Sequence, residues 1–173
     1  KQPNPKRQED YHVTGFPSGT CLSSTWNTEL ALAMGTAQGY EAYLLGHSAL
    51  YAPGLNLHRT PSGGRNFEYM SEDTYLGGTI IANLAYGMQN PGGLCAGVKH
   101  FMLNNQEAHR GTVHTYVSEQ ALRETYAEAW EICFKTFKEG GAMGIMGAYN
   151  NIGPEWVGCN YALNTSLLRD EWG

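Results

Sequence analysis

Ala96-Gly97-Val98-Lys99-His100-Phe101 decides the fold. Three small or apolar residues in a row, without polar alternation, read as a strand covered on both faces. The strand leads straight into an ammonium and an imidazole. Working outward, Met143 to Ala148 repeats the layout downstream, an apolar run passing into Tyr149-Asn150-Asn151. Upstream, Ser48-Ala49-Leu50-Tyr51-Ala52 is a third short apolar run, ended by Pro53. Helical patterns separate and flank these strands. After Asn27, which suits an N-cap, Leu30, Met34 and Ala37 recur at helical spacing, and Gly46 stands where a C-terminal glycine belongs. Residues 74–88 read as a second helix. The clearest runs from Ser118 to Lys138, where Leu122, Tyr126, Ala129, Cys133 and Phe137 form one apolar stripe closed by Gly140-Gly141. Leu163 to Glu171 starts a further helix, and residues 1–20, punctuated by Pro and Gly, read as loop.

Strands and helices in alternation, with no two-residue period in the strands, predict a parallel sheet covered by helices. Three such units are too few to close an eight-stranded barrel of about 250 residues. The expected fold is therefore α/β, an incomplete arc of a (β/α)8 barrel of the TIM type. The chain lacks an initiating Met and stops at Glu171-Trp172-Gly173 directly after a helical pattern, so a piece of a longer protein is expected.

With 173 residues, 42% of them hydrophobic, a buried core is within reach. A net charge of −5 and the lack of a basic stripe argue against a nucleic-acid partner. No apolar run is long enough to span a membrane, and Lys1-Gln2-Pro3-Asn4-Pro5-Lys6-Arg7 does not have the pattern of a signal peptide. Cys21, Cys95, Cys133 and Cys159 lie too far apart for a zinc ribbon or a redox pair. Reduced thiols are expected, and with them a cytoplasmic setting. The sequence leaves self-association open.

Function is carried by charge set at strand ends, in a chain that is only 16% charged. Gly63-Gly64-Arg65-Asn66-Phe67-Glu68 with Ser71-Glu72-Asp73 follows the first strand, and Asn105-Gln106-Glu107 with Arg110 follows Lys99-His100-Phe101. In a repeating strand–helix protein that edge holds substrates. Taken with Leu122-Arg123-Glu124-x-Tyr126, Met146-x-x-Tyr149-Asn150 and Leu168-Arg169-Asp170-Glu171-Trp172-Gly173, these runs resemble glycoside hydrolase family 3, the β-glucosidase group, in order and spacing from Phe16 to Gly173.

The resemblance implies that residues 1–173 are a fragment of the family's barrel domain, acting on terminal β-D-glycosyl residues. It implies that Arg65, Lys99, His100 and Arg110 line the subsite for the non-reducing-end sugar, with Tyr149 beside the nucleophile. It also implies a cis peptide bond between Lys99 and His100, and no cofactor or metal. A sugar hydroxyl donates and accepts, so charged donors held against acceptors such as Glu68 or Glu107 suit it. A retaining glycosidase needs two carboxyl groups about 5–5.5 Å apart. The resemblance puts the nucleophilic Asp just after Gly173, the acid/base in another domain, and a further sugar-binding Asp upstream of Lys1. No residue here is assigned as catalytic, and the fragment alone is expected to be inactive. The expected partners are a β-linked glycoside and the rest of the same protein.

Duller readings stand beside these. Arg65 could pair with Glu68 or Glu72 within its loop, Arg110 and Glu107 could form a surface ion pair, and Tyr149 divides evenly between packing and binding. Arg123 and Glu124 suit salt bridging on a polar helix face. Trp26, Trp130 and Trp156 fit core or subunit-contact roles better than sugar platforms, Trp130 in particular reading as core. A metal hydrolase built on His100, Glu107, His109 and His114 matches no helical metal motif, and Arg110 would repel the cation. Met102-Leu103-Asn104 replaces the Pro-Gly-His that follows Lys-His-Phe in the family's N-acetylglucosaminidase branch. A β-xylosidase, another exo-glycosidase of the family and a non-catalytic sugar-binding relic remain as alternatives.

Overall fold

The computed structural model describes residues 12–137 and 141–173. Residues 1–11 of the expected N-terminal loop, and the expected helix end at Lys138 with Gly140, lie outside them.

Three strands form the parallel sheet that the apolar runs predict. β1 (Ala49–Leu50) pairs with β2 (Cys95–Phe101), and β2 with β4 (Gly144–Gly147). Helix α3 (Thr74–Gln89) connects the first pair and α4 the second. α4 runs through Glu119–Ala121, a π-helical Leu122–Ala127 and Glu128–Lys135. The chain is thus an arc of a (β/α)8 barrel, with Ala96, Val98, Ile80, Ile81, Ala129, Trp130 and Cys133 in its core. Trp130 is buried as expected and stands edge-on to Phe101, with centroids 5.1 Å apart. Trp26 and Trp156, by contrast, are 77% and 49% exposed and belong to no core.

Capping follows the sequence closely. The side chains of Asn27, Asp73 and Ser118 accept hydrogen bonds from the backbone N–H groups of Leu30, Leu76 and Ala121. Gly46, at φ 77°, ends helix α2 (Thr28–Leu44); its N–H bonds to the Tyr43 carbonyl while that of His47 reaches Ala42. A short helix α1 (Gly19–Ser23) begins within the expected loop, capped by Ser18.

The buried face of α2 corrects the sequence reading. Leu30 and Ala37 are exposed and Met34 half-buried, whereas Ala31, Gly35, Gly39 and Ala42 face inward. Glycine is required there by close approach: a Cβ on Gly35 would lie 2.1 Å from the Leu84 carbonyl oxygen, and one on Gly39 2.2 Å from that of Met88. α2 and α3 therefore meet backbone to backbone. On α4 the expected stripe is inward-facing, with Ala129 and Cys133 buried, Leu122, Tyr126 and Phe137 partly so, and Phe137 stacked on Tyr86.

A second, smaller sheet lies beyond the strand ends. β3 (His114–Thr115) pairs in parallel with β5 (Asn151–Ile152), which pairs antiparallel with β6 (Glu155–Trp156). It fastens the loop after β2 to the loop after β4. The final helical segment, Ala162–Glu171, is π-helical.

Candidate functional site

The five predicted residues converge at the C-terminal end of β2, where the loops after β1 and β4 meet it. The segment after β1 runs along β2: the Leu55 N–H bonds to the Lys99 carbonyl at 2.6 Å and the Lys99 N–H to that of Pro53 at 3.0 Å. The Lys99–His100 peptide bond is cis, as the resemblance implies. Lys99 reaches the centre of the site and His100 is buried beneath it.

Glu68 ties the site together. One carboxylate oxygen lies 2.6 Å from the Lys99 ammonium, and the other takes Nε and Nη2 of Arg65, each at 2.6 Å. Arg65 lies 3.9 Å from Glu107, Glu107 accepts from Arg110 at 2.9 Å, and the Arg110 guanidinium sits 5.0 Å from the centre of the Tyr149 ring. Lys99, Glu68, Arg65, Glu107, Arg110 and Tyr149 thus form a continuous chain of contacts in which cations and carboxylates alternate. Two duller pairings, Arg65 with Glu68 and Arg110 with Glu107, are real, yet they are links of this chain rather than isolated surface bridges. Glu72 is exposed and takes no part in it. Tyr149 remains 46% exposed.

Electrostatics follow from that alternation. Burial opposes ionisation of Glu68, but the hydrogen bonds from Lys99 and Arg65 outweigh it and hold the carboxyl below its ordinary range. Arg65, desolvated but bonded to Glu68, keeps its charge more firmly than a free guanidinium. Burial, reinforced by the nearby Arg65 and Lys99 charges, pushes His100 down to about 4, leaving its ring neutral at physiological pH. Burial pushes the Tyr69 hydroxyl up to about 12. The site therefore offers fixed cationic donors, fixed carboxylate acceptors and a neutral imidazole, the set that orients a polyhydroxylated ring.

Two members of the site carry no role in the sequence reading. Tyr69, 4% exposed, places its hydroxyl 3.2 Å from His100 Nδ1, and Asn56, 5% exposed, bonds the His100 backbone. Asn56 stands in a polar loop and Tyr69 one residue past the charged run; their shared partner is a property of the fold, and no spacing announces it. Arg123 pairs with Glu119 and Glu171 on an exposed helix face, away from this cluster. Among the described residues no three His, Cys, Asp or Glu side chains gather as a metal would need.

Residues 6–173 match the family model described as the glycosyl hydrolase family 3 N-terminal domain. The chain is 42% identical over 159 residues to β-glucosidase BoGH3A of Bacteroides ovatus, covering 92% of this chain and 21% of that protein. It is 41% identical over 161 residues to an exo-α-(1→6)-L-arabinopyranosidase of Bifidobacterium longum, covering 93% and 21% respectively. Among solved structures, β-glucosidase 3B from Thermotoga neapolitana in complex with glucose superposes with a TM-score of 0.90 at 42% identity, over 99% of this chain and 24% of that one. The chain spans about a fifth of the length of these curated relatives. Matched along nearly its whole length in sequence and in fold, the chain belongs to glycosyl hydrolase family 3.

Proposed function

We propose that this chain forms the sugar-binding wall of a retaining β-glycosidase, a β-glucosidase, that removes terminal non-reducing β-D-glucosyl residues. The observation that carries the reading is Glu68, which bridges Lys99 and Arg65 and so fixes two cationic donors at the end of β2. In this reading Arg65, Lys99, His100 and Arg110 bond the sugar hydroxyls, and Tyr149 lies beside the reacting carbon. Charge-assisted bonds of this kind contribute about 1.5–3 kcal/mol each, and those that tighten as the ring flattens lower the barrier. The nucleophile and the acid/base come from other parts of the intact protein. The unpaired Cys21, Cys95, Cys133 and Cys159 support a reducing compartment. The similarity to an arabinopyranosidase favours a second reading, in which the same wall serves an exo-glycosidase for another terminal sugar.

The test is hydrolysis of aryl β-D-glucosides by the intact protein, with the anomer first released identified by proton NMR. The β anomer is expected. Release of the α anomer, or no cleavage of any aryl β-glycoside, would overturn the reading. Residues 1–173 alone are expected to turn over nothing, and measurable turnover by the pure chain would refute the claim that both carboxyl groups lie elsewhere.

A further inference from the structure

We propose that Asn56 and Tyr69 are positioning residues that hold the His100 imidazole in a single tautomer, with Nε2 left as a hydrogen-bond acceptor for a sugar hydroxyl. The inference rests on the sugar-binding reading of His100. Asn56 meets His100 three times. Its Oδ1 accepts from the His100 backbone N–H at 2.8 Å, its Nδ2 donates to the His100 carbonyl at 3.2 Å, and Oδ1 lies 3.2 Å from ring Nδ1. The two backbone bonds fix which end of the amide faces the ring. With an acceptor oxygen so placed, an unprotonated Nδ1 would set two lone pairs against each other, so Nδ1 carries the proton. The Tyr69 oxygen, also 3.2 Å from Nδ1, shares that proton, and its ring stands edge-on to the imidazole at 85°. Tyr69 has room there because residue 54 is glycine: a Cβ on Gly54 would come within 2.8 Å of the Tyr69 ring.

Nε2 then bears the lone pair, and no hydrogen bond from a described residue reaches it. Lys99, the neighbouring residue, can only donate. A hydroxyl needs one donor and one acceptor, and Lys99 with His100 supplies one of each.

The test uses the intact enzyme and an aryl β-glucoside. Tyr69→Phe is expected to lower kcat/KM about 5- to 10-fold, the worth of one hydrogen bond, but to cost nothing further in a His100→Ala background. Asn56→Asp puts a carboxylate against Nδ1, so the acid limb of kcat/KM should move up by about one pH unit. Arg65, Lys99 and Arg110, which oppose a charged ring, and Glu68, which favours one, are unaltered in that variant. Equal cost of Tyr69→Phe in both backgrounds would overturn the positioning role, as would an unmoved acid limb. If Asn56→Asp does not fold, the Tyr69–His100 cycle decides alone. If His100→Ala itself leaves kcat/KM intact, the sugar-binding reading of His100 falls, and this inference with it.

Discussion

Lys99→Ala in the intact enzyme separates a binding wall from a scaffold. The Lys99 side chain is 15% exposed and its ammonium touches Glu68 alone among the described ion pairs. If Lys99 binds the sugar as proposed, its loss removes one charge-assisted bond to substrate, about 2–3 kcal/mol, which converts to a fall of about 30- to 150-fold in kcat/KM. Stability should suffer less. Glu68 keeps Arg65 as a partner, so the carboxylate is not stranded, and a partly exposed pair of this kind costs about 1–2 kcal/mol when broken. Leu84→Ala is the matching control. Leu84 is 3% exposed in the core of α3, so truncation should cost about 2–5 kcal/mol and leave kcat/KM per folded molecule unchanged. Urea unfolding of both variants, with kinetics normalised to folded protein, reads the two effects separately. Near-normal kcat/KM with a steep loss of stability in Lys99→Ala would make Lys99 scaffold, and the site assignment would be wrong.

What could be read from the sequence divides along physical lines. Buried parallel strands announce themselves because both faces are apolar, and all three apolar runs became neighbouring strands. Charge at a strand end is equally legible, since packing gives no reason to put Lys99 beside Val98; Arg65, Lys99, His100, Arg110 and Tyr149 do come together. The inward face of α2 was not legible. A search for large apolar residues finds Leu30 and Met34, whereas the contact with α3 is made by glycines whose value is the absence of a side chain. The small sheet of β3, β5 and β6 was missed because two-residue strands carry no periodicity. The π-helical turn from Leu122 to Ala127 keeps the apolar stripe of an ordinary helix, so nothing in the pattern separates them. Tyr69 and Asn56 were invisible for another reason: a residue that acts by holding a neighbour has meaning only once the fold has supplied that neighbour.

Two further outcomes follow from the structure. Gly35→Ala forces a methyl group to within 2.1 Å of the Leu84 carbonyl oxygen, so α2 and α3 must separate. It should cost at least about 1–3 kcal/mol, as overpacking does, despite the higher helix propensity of alanine, and a variant as stable as the wild type in urea would refute the close approach. The other outcome is a stability profile in acid with two stages. His100 takes a proton at about pH 6.5 when unfolded but only at about pH 4 when folded. Between those values the unfolded chain binds the proton that the folded ring refuses. His100's contribution is therefore complete above pH 6.5, lost as the pH falls towards 4, and flat below that, a decline of about 3 kcal/mol. Glu68 acts further down. Its folded pKa lies below the ordinary 4.5, so its contribution is present above 4.5 and is lost as the pH falls through the lowered value. Urea midpoints of the intact protein between pH 7.5 and 4, compared with those of His100→Gln, isolate the first stage: the variant should lack that part of the decline, and an identical slope in both proteins would mean that His100 titrates freely and is not held neutral in the site.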